Sequence, residues 1–156
     1  MIGLNHGTTG AVLALTIKNP AVAIPLSFIS HYLQDFIPHW NYGVSREADK
    51  KGTFFTTKFN LSLLADFLMS LILMVVLAWL FPAHKWLIWA CMVAAASPDL
   101  VWAYYRLYRG HIKKQKLRYD PFTNFHAKIQ WSQTTYGGLV EMAWFLGMGA
   151  IIVNLK

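Results

Sequence analysis

Charge is what this sequence has least of. Of its 156 residues only 13% are Asp, Glu, Lys or Arg, against 56% that are hydrophobic. A soluble domain carries about 25% charged residues, so roughly half the charge needed to cover a water-facing globule is missing. Acidic residues are scarcer still, seven against fourteen Lys and Arg, which leaves a net charge of +7. Cysteine occurs once, at Cys91, which excludes an internal disulfide and a thiolate zinc cluster. Low charge combined with high apolar content excludes intrinsic disorder. No basic leader precedes the first apolar run and no cleavage site follows it, so a secretory signal peptide is not expected. No internal repeat or low-complexity tract is evident, and the length suits a single domain, 1–156.

What is present is a series of apolar runs with countable lengths. Positions 61–81 give 21 residues whose only charge is Asp66, and positions 86–105 give 20 whose only charge is Asp99. Both meet the roughly 20 residues that a helix needs to cross a hydrocarbon core of about 30 Å. The runs 21–38 and 137–153 are shorter, and 2–17 is a marginal fifth; local bilayer thinning or packing inside a bundle accommodates short spans. The expected fold is an all-α integral membrane protein of five antiparallel helices near 3–18, 21–38, 59–82, 86–106 and 124–154. The last is expected to begin as an interfacial segment and to enter the membrane at Gly137-Gly138. Turns at Lys18-Asn19-Pro20 and around Pro82 suit antiparallel neighbours. Eleven of the fourteen basic residues fall in 39–60 and 106–136. Alternating helices put both segments on one side, which the positive-inside rule makes cytoplasmic, with the N-terminus inside.

Placed on that map, the ionisable residues fall at one depth. His6 opens the first helix, His31 and Asp35 end the second, and Asp66 begins the third. Asp99 ends the fourth, His126 leads into the last, and Glu141 lies one turn inside it. All lie in the cytoplasmic half, whereas 71–81, 86–96 and 142–153 hold no charged residue or histidine. Ionisable groups in a membrane are costly and are functional candidates by default. His31-x-x-x-Asp35 puts two side chains on one helix face, where both can bind an ion or the Asp can orient the His. Pro38 stops that helix, so His39 can turn back toward the same place. The plain alternative is an interfacial His and Asp ahead of a proline turn.

Asp66 and Asp99, at matching depth on consecutive helices, repel unless a proton or a cation lies between them; otherwise each is a polar tie to a neighbouring helix. The cation reading recruits His6, His31, Asp35, His39 and His126 as further ligands. Such a mixed nitrogen and oxygen set suits one or two divalent ions, zinc, manganese or iron. Glu141 fits either catalysis or packing. His84 reads as outer-interface padding and His111 as part of a solvated basic loop. Most Trp and Tyr residues near helix ends, Trp40 and Trp79 among them, read as an aromatic belt.

Three segments carry a family resemblance: NHGTTGAVLAL at 5–15, SHYLQDFIPHW at 30–40 and SPDLVW at 97–102. Together they resemble the membrane-bound metal-dependent hydrolases of bacterial inner membranes, and more closely small bacterial membrane proteins with an SHxxLDxxPHW-like signature. The resemblance implies that His6, His31, Asp35 and Asp99, with His126 a weaker match, are metal-binding positions. The chain departs from the broad family in three ways. Its PD motif follows the SHxxxD segment, Val101 and Trp102 replace an acidic residue and a His, and the RGxTHS segment is absent.

Three functions compete on these residues. The first is a metal-dependent hydrolase in the inner membrane, acting on a phosphoester or related ester at the cytoplasmic face. In it Asp66 or Asp35 is the general base, and Arg106, Arg109, Lys113 and Lys114 hold the anionic end of a membrane-lipid substrate. The second is a non-catalytic membrane protein with a structural His/Asp metal site. The third, ion or proton transport, lacks charged residues through the outer half. The basic loop is explained by topology, so no nucleic-acid partner is expected.

Overall fold

The structure, a computed structural model, describes residues 1–40, 57–105, 108, 112–113, 121–129 and 133–156. Six α-helices account for most of them: α1 Gly3–Ile17, α2 Pro20–Asp35, α3 Thr57–Leu80, α4 Lys85–Ala103, α5 Pro121–Ile129 and α6 Gly137–Asn154. A single 3₁₀ turn, Pro82–His84, joins α3 to α4. Two short strands, β1 His39–Trp40 and β2 Gln133–Thr134, pair in parallel, His39 opposite Gln133 and Trp40 opposite Thr134.

The α1–α2 hairpin follows from three consecutive residues. Lys18 takes a left-handed backbone (φ 58°) and its N–H closes on the Ala14 carbonyl. The Asn19 side chain then accepts the Ala21 N–H at 3.0 Å, and Pro20 occupies the first helical position, where its missing N–H costs nothing. The helix so launched lies beside α1, and both pack against α4. α1 is central, since it also touches α3 and α6. Its small residues make that possible. A Cβ on Gly10 would lie 2.5 Å from the Cys91 carbonyl oxygen, so α1 and α4 meet backbone to backbone. Ala11, Ala14, Leu15, Leu77, Ile88 and Met92 form the apolar core around that crossing.

Three segments are long and apolar enough to cross a membrane: Phe59–Leu80, Pro82–Ala103 and Gly137–Asn154. α3 leaves Leu64, Phe67, Leu68, Leu71, Ile72 and Val75 exposed along its length, an apolar surface larger than water-soluble monomers present. α1 and α2 have 15 and 16 residues, which at about 1.5 Å per residue is short of a hydrocarbon core of about 30 Å.

Two expected helices change shape. The one expected over 21–38 ends at Asp35, because Pro38 disfavours helical geometry at Ile37, and the chain leaves through a tighter turn from Ile37 N–H to the Gln34 carbonyl (3.0 Å). The one expected over 124–154 is two helices, α5 and α6, separated by β2. The cause is the β1–β2 pairing together with Gly137, where a Cβ would overlap the His39 carbonyl. A continuous helix cannot satisfy both.

The α1–α4 crossing has a direct test. Gly10→Val should lower the midpoint of thermal unfolding in detergent, since overpacking of this kind costs about 1–3 kcal/mol or more. Gly149→Ala should show no loss, because nothing lies within 4 Å of a Cβ there.

Candidate metal centre

The start of α1 is held by carboxylates from two other helices. Gly3 N–H donates to Asp66 Oδ2 at 2.8 Å and Leu4 N–H to Asp66 Oδ1 at 2.9 Å. Ile2 N–H is shared by the two Glu141 oxygens at 3.0 and 3.2 Å. The first N–H groups of a helix have no partner within it, and negative charge there also complements the helix dipole. Glu141 further accepts from the Asn5 side chain (2.6 Å) and from Trp40 N–H (3.3 Å). It ties α1, β1 and α6 together, a packing role. Asp66 faces the α1 backbone with both oxygens, and it is not one of the residues gathered at the His/Asp centre.

That centre assembles from four helices. His6 comes from α1, His31 and Asp35 from α2, Asp99 from α4 and His126 from α5. The Nε2 atoms of His31 and His126 lie 3.3 and 3.2 Å from Asp35 Oδ2, and that of His6 lies 3.3 Å from Asp35 Oδ1. The same three nitrogens lie 3.8, 3.6 and 4.0 Å from Asp99 oxygens. His31 and His126 bring their Nε2 atoms within 3.1 Å of each other, and the His6 and His31 rings stack with centroids 3.9 Å apart. The Met1 amino group also contacts Asp35 Oδ1. Two overlapping triads, His6–His31–Asp99 and His31–Asp35–His126, have ligand atoms spaced for a metal ion.

The donor set fits a cation. His31 Nδ1 lies 2.8 Å from the Ala95 carbonyl, which can only accept, so Nδ1 carries the proton and Nε2 presents a lone pair when the ring is neutral. That lone pair faces carboxylate oxygens and another imidazole nitrogen, an arrangement that is repulsive without a proton or cation between them. His6 is fully buried, and its Nε2 meets only the Asp35 and Asp99 carboxylates, at 3.3 and 4.0 Å and without good hydrogen-bond geometry. A buried polar group left poorly bonded is costly, and ligation at Nε2 would relieve it. Exposure is uneven: His6, His31 and Asp35 are sealed, His126 is at 1%, and the Asp99 side chain is 34% exposed. The centre therefore opens on the Asp99 side.

Other expected site residues lie elsewhere. His39 sits in β1 with Nδ1 2.9 Å from the Ile37 carbonyl and belongs to neither triad. Burial, and after it the Met1 ammonium, push its pKa below the ordinary imidazole value, so the ring is neutral. The Lys113 ammonium lies over the Tyr108 ring at 5.6 Å. Arg106, Arg109, Lys114 and His111 fall outside the described residues.

Sequence reasoning passed over the neutral residues that brace the centre. The Thr9 hydroxyl, bonded to the Asn5 carbonyl at 3.0 Å, also receives Trp144 Nε1–H at 2.9 Å and lies 3.2 Å from the Gln34 amide oxygen. Asn5 and Thr9, four apart on α1, were the available signal.

Asp66→Ala should lower unfolding free energy by about 1–3 kcal/mol, because it leaves the N–H groups of Gly3 and Leu4 without acceptors. Denaturant titration of the purified protein measures it.

No protein-family model, no curated protein and no solved structure matches this chain; its centre is defined by its own geometry.

Proposed function

We propose that the protein is a metal-dependent hydrolase of the bacterial inner membrane. Its five longer helices cross the bilayer with the N-terminus cytoplasmic, and it cleaves a phosphoester or related ester at the cytoplasmic headgroup level. The observation that carries this reading is the convergence of three imidazole Nε2 atoms and two carboxylates, with one of the carboxylates reachable from outside. Zinc or manganese suits that mixed set, and such an ion, when bound, lowers the pKa of water and polarises a phosphoryl or acyl oxygen.

The chain's own residues divide the remaining work. Asp35, sealed among three histidines, holds them in register. Asp99, the exposed carboxylate, accepts the proton from the attacking water as general base. That role passes to it because both oxygens of Asp66 cap α1 and Asp35 is enclosed. The basic residues from Arg106 to Arg118 attract the anionic headgroup at about 1 kcal/mol each near the surface.

A structural metal clip is the second reading, favoured by the complete burial of His6, His31 and Asp35. Elemental analysis with activity assays on vesicles of lipid phosphoesters separates the two. Wild type should carry stoichiometric divalent metal and His31→Ala should lose it. Asp99→Asn should retain metal at the His31–Asp35–His126 triad yet lose hydrolysis by about 10²-fold or more, the usual contribution of a positioned general base. A metal-free wild type would overturn both readings. Metal in both proteins with equal activity would leave the clip.

A further inference from the structure

Tyr32 lies on α2 beside His31 and three residues before Asp35. Its ring meets His31 edge-on at 5.4 Å and His126 edge-on at 6.1 Å. The hydroxyl is shut off from solvent and has no hydrogen-bond partner among the described residues. A buried hydroxyl without a partner is destabilising, and such groups in native proteins call for an explanation. A ligand oxygen that accepts from it would supply one.

The surroundings say which ligand. The ring packs against Phe122 at 5.9 Å and Phe125 at 5.5 Å, and Phe28 stands 5.5 Å away on its own helix. Phe122 and Phe125 are 37% and 49% exposed, so this apolar wall reaches from the Tyr32 ring to the molecular surface. The centre already holds two carboxylates, which repel an incoming anion. A phenol, protonated at neutral pH with an ordinary pKa near 10, donates to an anionic oxygen without adding charge, and does so more strongly in apolar surroundings.

We propose that the Tyr32 hydroxyl is the donor that holds a phosphoryl oxygen of the substrate at the His/Asp centre, the substrate being an amphiphile whose apolar chain lies along Phe122 and Phe125. This rests on the hydrolase reading and gives it a substrate-binding residue and a substrate class.

The test compares wild type and Tyr32→Phe, full-length in detergent, after zinc loading and elemental analysis. One arm titrates inorganic phosphate. The other titrates phosphatidylcholine vesicles doped with phosphatidic acid against plain phosphatidylcholine vesicles. Loss of one hydrogen bond to a charged group should weaken binding about tenfold or more, with metal content unchanged. A phosphate-induced change in the tyrosine Raman doublet should appear in wild type and vanish in Tyr32→Phe. Weakening in either arm supports the contact and identifies whether a free or a lipid-borne phosphate makes it. Equal affinities in both arms, or no phosphate binding by wild type in either, overturn the proposal. Absence of metal from wild type is read separately and overturns the hydrolase reading instead.

Discussion

A carboxylate with no access to solvent governs this structure. Burying an ionised Asp costs several kcal/mol even after relaxation, and Asp35 is fully buried. The cost is offset by His6, His31, His126 and the Met1 amino group, all gathered around its two oxygens. Those partners belong to α1, α2, α5 and the chain start. None of these elements can withdraw without leaving Asp35 under-paired in the protein interior, so the packing of the helices and the assembly of the centre are one event. Asp99 is held less tightly, because its exposed side can exchange neighbours with whatever enters.

The carboxylates that resemble Asp35 in the sequence act differently because of what they face. Asp66 and Glu141 accept neutral N–H groups at the start of α1, and those bonds set the height of the helix. His6 is one turn further on, so its position at the centre is inherited from that cap. The neutral links from Thr9 to Asn5, Gln34 and Trp144 then fix the rotation of α1 against α2 and α6. Charge sets the depth and hydrogen bonding sets the angle.

Much of this was legible in residue spacing. His31 and Asp35 share a face because they are four apart. Pro38 stops α2, and Asp99 and His126 reach the level of His31 as their places in the chain suggest. The lengths of the apolar runs around Asp66 and Asp99 marked two segments able to cross a membrane, whereas the run around Glu141 counted as shorter than 21–38 and yet forms an apolar helix of 18 residues. Spacing conveys depth along a helix but not which way that helix is turned. On spacing alone Asp66 and Asp99 could share a cation or each tie to a neighbouring helix, and the oxygens of Asp66 turn to the start of α1. The break between α5 and α6 was hidden for a related reason. It is made by pairing with His39 and Trp40, nearly a hundred residues away, and no local pattern records a partner so distant.

Ser97-Pro98-Asp99 shows how a weak local signal becomes a precise one in three dimensions. Proline has no N–H, so the Ala94 carbonyl, four residues earlier, loses its helical partner. The Ser97 hydroxyl takes its place at 2.8 Å, which keeps α4 intact through the proline. One residue after Ala94, the Ala95 carbonyl receives His31 Nδ1–H. That bond decides which His31 nitrogen carries the proton and therefore which one faces Asp35 and Asp99. One turn on, the helix delivers Asp99 to the same point. This stretch of α4 thus bears on the centre twice, through the Ala95 carbonyl that orients a histidine and through the Asp99 carboxylate that opens the site.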